Sequence, residues 1–148
     1  VAKLFLILHV LAAVIAIGPV AVAASMFPAT LRRAQAAPGD AEPLAMLRTL
    51  HRICRVYAAV GLAVPAFGFT TASALGVLGD AWVIVSIVLT AIAAAVLVLL
   101  VLPAQHGALA AARDVAPGRL AMQTGLFNVL WAAVTIVMIV RPGSTTGV

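Results

Sequence analysis

Four stretches of this chain, at about residues 4–27, 56–78, 81–102 and 121–140, contain almost no side chain that water would solvate. At about 1.5 Å of rise per helical residue, each is long enough to cross a hydrocarbon layer of about 30 Å. A chain folding in water could not hide so much apolar surface. Hydrophobic residues make up 65% of it and charged residues 9%, against roughly 45–50% and about 25% in soluble domains. Lipid offers backbone N–H and C=O groups no partner, so spanning segments must be helices or a closed barrel. The runs are continuous and lack the apolar–polar alternation of barrel strands. The expected fold is therefore all-α, an integral membrane antiparallel four-helix bundle that forms a single domain over residues 1–148.

The first run, "LFLILHVLAAVIAIGP", follows Lys3 and leads into "AVAAS", a combination that imitates a secretory signal peptide. Its apolar core exceeds the usual length of about 7–15 residues, which predicts a true first helix. The net charge of +5 would point to nucleic acid in a soluble protein. Here the arginines crowd beside the apolar runs, so they report orientation and no nucleic-acid partner is expected. The first connection carries Arg32, Arg33, Arg48, Arg52 and Arg55 against Asp40 and Glu42, and the third carries Arg113 and Arg119 against Asp114. The second holds only Asp80, and the ends contribute Lys3 and Arg141. The positive-inside bias predicts cytoplasmic first and third connections, with both termini outside a bacterial inner membrane. A single cysteine, Cys54, rules out an internal disulfide framework.

Local signals refine this plan. The breaker-rich "AAPGDAEP" is expected to be non-helical, whereas "LAMLRTLHRICR" places Leu44, Leu47, His51 and Cys54 on one stripe beside Arg48, Arg52 and Arg55. The second helix is expected to begin here, at about residue 50, and to lie among lipid headgroups before entering the bilayer. Gly68, Ala72 and Gly76 recur every four residues as a packing ridge for a neighbouring helix. Gly18-Pro19 and Pro65 predict kinks, Pro28 and Pro103 predict helix ends, and the short link from Leu78 to Ala81 predicts that helices two and three are neighbours. The polar tail "PGSTTGV" is expected to be ordered by something outside the chain.

Polar groups at membrane depth are costly, so they mark candidate sites. His9 lies about 8 Å below the outer boundary by helical rise, level with Thr70, Thr71, Ser73, Ser86 and Thr135 in an expected outer polar layer. One reading has a neutral imidazole bonding to one of those hydroxyls or to a carbonyl freed near a kink. The sharper one makes His9 an axial ligand of haem b or a donor to a quinone carbonyl. His51 and His106 lie roughly 20 Å away, so a second ligand would have to come from Met26 or another chain. His51, Cys54 and His106 form a second candidate, for Cu(I) or Zn, because an i, i+3 pair shares one helix face. Gln123 and Asn128 read as interhelical hydrogen-bonding residues.

"LHVLAAVIAIG" followed by "FPATLRR", together with the closing "TIVMIVRPG", resembles a family of small bacterial integral membrane proteins of unassigned function. More distantly, a histidine early in helix one, a glycine nine residues on and basic residues after it resemble the copper-resistance D family and the bacterial membrane protoporphyrinogen oxidases. The latter resemblance implies haem binding at His9. Ala16 replaces the aromatic usual before that glycine, and helix three has no lysine, so the oxidase activity is not carried over.

No phosphate-binding loop, paired intramembrane carboxylates, Ser-His-Asp set or His-Glu-x-x-His motif is present, and every acidic residue falls in a connection. The expectation is a non-catalytic subunit, surrounded by lipid and by other membrane protein subunits, in a larger respiratory or photosynthetic complex. The alternative is a haem-, quinone- or copper-binding protein centred on His9.

Overall fold

The computed structural model describes residues 1–144, and among them every regular element is helical. The elements are α1 (Ala2–Ala36), α2 (Ala41–Val60), α3 (Ala63–Leu75), α4 (Ala81–Ala95), a π-helical segment (Val96–Val101), α5 (Leu102–Ala110), a 3₁₀ turn (Ala112–Asp114) and α6 (Pro117–Val140). α2 runs on into α3, and α4 into α5, so the chain forms four rods, each long and apolar enough to cross a membrane. They alternate up and down as a four-helix bundle. The connections at 37–40 and 111–116 share one end with every arginine except Arg141, and the 76–80 turn lies at the other. The last residues of the tail, 145–148, lie outside the described residues, and so does the expectation that they are ordered.

The rods are longer than the apolar runs. α1 does not stop at Pro28 but passes through both Pro19 and Pro28 to Ala36, a length of about 52 Å. Each proline removes one backbone donor, which a helix packed on its neighbours tolerates. α2 begins at Ala41, earlier than expected, because Asp40 caps it: its Oδ1 accepts from the Glu42 N–H at 3.0 Å. Pro43 falls in the first turn, where backbone donors have no helical partner. Only residues 37–40 of the breaker-rich stretch are therefore non-helical. The kink expected at Pro65 is a break at Gly61 and Leu62. Pro65 has no N–H to give Gly61, whose carbonyl accepts instead from Val64 N at 3.1 Å.

Pro103 does not end rod three either. The six residues before Leu102-Pro103, "VLVLLV", widen into a π-helix, the form that relieves a proline's clash and missing donor without ending the helix. The wider turn shifts the register of the residues after it, so that Val101, Gln105 and Ala108 face inward.

The core follows a seam on α1. Ala16, Val20, Ala23, Ala24, Phe27, Leu31 and Ala34 recur at three- and four-residue spacing and are all buried. From Val20 onward they share one cluster with Leu47, Leu50 and Cys54 of α2, Val96, Leu97, Val101 and Ala108 of rod three, and Leu120 and Phe127 of α6. This cluster fills the arginine-rich half. In the other half Leu4, Ile7, Val10, Leu11, Val14 and Ile15 are all half exposed or more. α1 packs on α2 and α3 most extensively and also on α6, while α4 packs on α6.

Rods two and three, expected to be neighbours, do meet where α2 packs on α5 at the arginine-rich end, but at the end where the short link joins them α3 and α4 barely touch. Gly76 is the reason: it belongs to no packing ridge but ends α3 in the left-handed conformation (φ 70°). Val77 N donates to Ala72 O at 3.0 Å and Gly76 N to Ser73 O at 3.1 Å, a Schellman cap that swings the chain aside before α4 begins.

Leu47 is wholly buried and Leu4 is 58% exposed. Leu47→Ala is expected to cost about 2–5 kcal/mol and Leu4→Ala under about 0.5 kcal/mol, read as denaturation midpoints of the two variants in the same detergent.

Candidate functional site

His9 faces α3, half-buried, with its ring against the backbone of Gly68. A Cβ at Gly68 would lie 2.8 Å from His9 Cε1 and 3.0 Å from Nδ1, so glycine is what admits the imidazole. Nδ1 sits 2.8 Å from the Val64 carbonyl, in the first turn after the Gly61-Leu62 break. A carbonyl only accepts, so in the neutral ring the proton is on Nδ1 and Nε2 carries the lone pair. Gly68 thus works with His9, and Ala72, one turn on, is buried.

The hydroxyls level with His9 do not join it. Thr71 donates to Phe67 O at 2.7 Å, Ser86 to Trp82 O at 2.8 Å and Thr135 to Trp131 O at 2.9 Å, while Thr70 bonds Ala66 O and Phe67 O. Each satisfies itself on the preceding turn of its own helix. Apart from the exposed Ser73, the outer polar layer is therefore a set of separate back-bonds, and His9 is its member that crosses between helices.

At the arginine-rich end His51 and Cys54 share one face of α2, as their spacing requires, and the π turn brings Gln105 between them. Gln105 is fully buried and His51 is 6% exposed. His51 Nδ1 donates to Gln105 Oε1 at 3.0 Å, and Gln105 Nε2 donates to Cys54 Sγ at 3.5 Å. The exposed His106 tilts against His51 with ring centroids 6.0 Å apart. Of the three donors named from the sequence, His51 and Cys54 are joined through the amide of Gln105, and His106 lies beside His51. Among the described residues no group of three or more His, Cys, Asp or Glu could hold a metal ion. The contact is a polar clamp between α2 and α5. Gln35 makes a second one, its Nε2 donating to Ala112 O at 2.7 Å and Val115 O at 2.9 Å.

Gln123 and Asn128, read from the sequence as interhelical hydrogen-bonding residues, belong to a longer row on α6 that includes Thr124 and Trp131. Gln123, Thr124, Asn128 and Trp131 lie along one side of the helix around Phe127. Asn128 Nδ2 donates to Ser25 Oγ at 3.2 Å, tying the middle of α6 to α1. Its Oδ1, together with Gln123 Oε1, Thr124 Oγ1 and Trp131 Nε1, is buried without a hydrogen-bond partner. Gln123 therefore does not make the interhelical bond expected of it, whereas Asn128 does. The signal was present as polar residues at i, i+4 and i+7 inside an apolar run, Thr124, Asn128 and Trp131. Hydrogen-bonding capacity along this row exceeds what the described residues use.

Compared with models of known protein families, with curated proteins and with solved structures, the chain matches none.

Gly68→Ala is expected to push the His9 ring off α3 and cost about 1–3 kcal/mol; in the His9→Ala background most of that cost should vanish, and a double-mutant cycle on thermal unfolding measures the coupling. Thr124→Val deletes a buried hydroxyl with no partner at nearly constant volume. It is expected to stabilise the protein by about 1 kcal/mol, and a loss of that size in the same melts would mean that the hydroxyl is bonded.

Proposed function

We propose that the chain is a non-catalytic accessory subunit of a larger bacterial membrane complex, embedded in the cytoplasmic membrane with its arginine-rich end inside. The four long apolar rods and the gathering of arginines at one end support the embedding and its direction. The observation that carries the subunit reading is the parting of α3 from α4. It leaves a face of α3 with Ala66, Phe69, Thr70 and Ser73 exposed. Small and hydroxyl side chains on such a face let another helix approach closely, which is how helices associate where lipid removes the hydrophobic drive. A partner helix seated there would complete the bundle's looser half.

A second reading rests on His9. A ring nitrogen held by a backbone carbonyl leaves the other oriented as a ligand or acceptor, the arrangement that outer-shell hydrogen bonds impose on metal-bound histidines. On this reading Nε2 meets a haem iron or accepts from the hydroxyl of a quinol at the lipid-facing side of α1 and α3, since in this tautomer it cannot donate to a quinone carbonyl, and the complex is one of electron transport.

In native membranes a photo-crosslinking residue at Phe69 or Ser73 is expected to give protein adducts of defined mass, and one at Val129 or Ile136 on α6 to give none; lipid adducts alone at all four positions would refute the subunit reading. In a Cys54→Ser background, a cysteine at Gly79 is expected to react with an impermeant thiol reagent from outside intact cells and one at Ala37 only after lysis. The natively purified protein decides the second reading by its absorption spectrum: a Soret band lost in His9→Ala supports haem at that ring.

A further inference from the structure

Arg48, Arg52 and Arg55 stand at i, i+4 and i+7 on α2, so their guanidinium groups project from one face within two turns. All three are exposed, and none has a hydrogen bond or ion pair among the described residues. Like charges at this spacing destabilise a helix unless something neutralises them. Arg33 lies 3.6 Å from Glu42, and Arg141 stacks on Trp82 at 5.2 Å. Arg32, Arg113 and Arg119 also lack a partner among the described residues, but they lie on three different elements and share no helix face.

The three arginines line a groove of about 590 Å³ with His51, Val56 and Ala59. His51 has its Nδ1 held by Gln105, so the imidazole is fixed at the base of the groove and its Nε2 is left without a hydrogen bond. The lining changes character along α2. Toward the chain connection it is cationic; one turn toward α3 it becomes Val56 and Ala59, and exposed Val60 and Leu62 continue the apolar track. Planar guanidinium forks match phosphate oxygens, and several of them hold one better than a point charge does. A soluble phosphate compound would use the cationic part alone, whereas a lipid also uses the apolar track. On the membrane reading proposed above, this groove lies at headgroup level, where basic pockets meet anionic lipid.

We propose that the Arg48, Arg52 and Arg55 face of α2, with His51 at its base, is a binding site for the phosphate headgroup of an anionic phospholipid, whose acyl chain runs along Val56 and Ala59. The site is distinct from His9 and from the α3 face.

The test uses the full chain in mild detergent with phosphatidylglycerol as the probe, its binding read by native mass spectrometry. Phosphatidylglycerol is expected to be retained at least tenfold better than phosphatidylcholine. R48Q/R52Q/R55Q should lose at least tenfold in that affinity, while R32Q/R113Q/R119Q, which removes the same charge from the same end, should lose less than twofold. Equal losses would assign the effect to the overall field and overturn the site. R48K/R52K/R55K keeps the charge and the helix but not the planar forks; a loss of threefold or more is expected, and wild-type affinity would refute guanidinium recognition. Inorganic phosphate displacing the lipid at equal concentration would reassign the groove to a soluble phosphate compound. Recovery of the chain without detergent would refute the membrane reading itself, whereas an embedded protein indifferent to the lipid refutes only this inference.

Discussion

Close approach along α1 is the constraint on which the other rods depend. Its seam presents mostly small and medium side chains, Ala16, Val20, Ala23 and Ala24, before the larger Phe27 and Leu31. α2, α3 and α6 all take their positions from it. Rod three has no comparable contact with α1; it is placed by α6 and by the clamp from Gln105 to His51 and Cys54. The tight cluster lies in the arginine-rich half, and the half beyond it is open. On the proposed membrane reading this contrast has a physical cause, since the hydrophobic effect drives packing where rods reach water and gives no such drive where the solvent is hydrocarbon.

Where apolar burial supplies little, specific polar contacts remain. Among the described residues, four that are made by side-chain hydrogen bonds cross between segments: His9 to Val64, Asn128 to Ser25, His51 through Gln105 to Cys54, and Gln35 to the 111–116 connection. Contacts of this kind between helices in lipid contribute about 0.6–2 kcal/mol each. They also fix geometry. The Val64 carbonyl orients His9, and the Gln105 amide orients His51, so each ring presents one committed nitrogen and one uncommitted. The two proposed ligand readings, at His9 and at the arginine groove, both rest on that pattern. The subunit reading rests on a different feature, the parting of α3 from α4 by the Gly76 cap.

Much of this was legible in the order of residues. Twenty-residue apolar runs admit only helices once water is excluded, and the clustering of arginines distinguishes one end of the bundle from the other. The i, i+3 spacing of His51 and Cys54 puts them on one face in any helix, and a carbonyl near the Pro65 break is a natural partner for His9. These conclusions come from period, charge and hydrogen-bonding inventory, all of which are local.

What the chain order left open depends on neighbours. Pro28 and Pro103 read as helix ends, yet a rod held along its length tolerates one missing donor, and at Pro103 it widens to a π turn. That turn alone aims Gln105 between His51 and Cys54, turning a candidate metal set into a clamp. Gly76 fits a four-residue ridge on paper and a left-handed cap in space, because the conformation of a glycine depends on where the chain goes next. The unpaired row on α6 is invisible without knowing which atoms the other helices cover. Composition and periodicity alone dictated four helices and their two unlike ends; which side chains meet, and which polar atoms go without a partner, came from packing, since contacts between distant segments are a property of the assembled rods and of no single one.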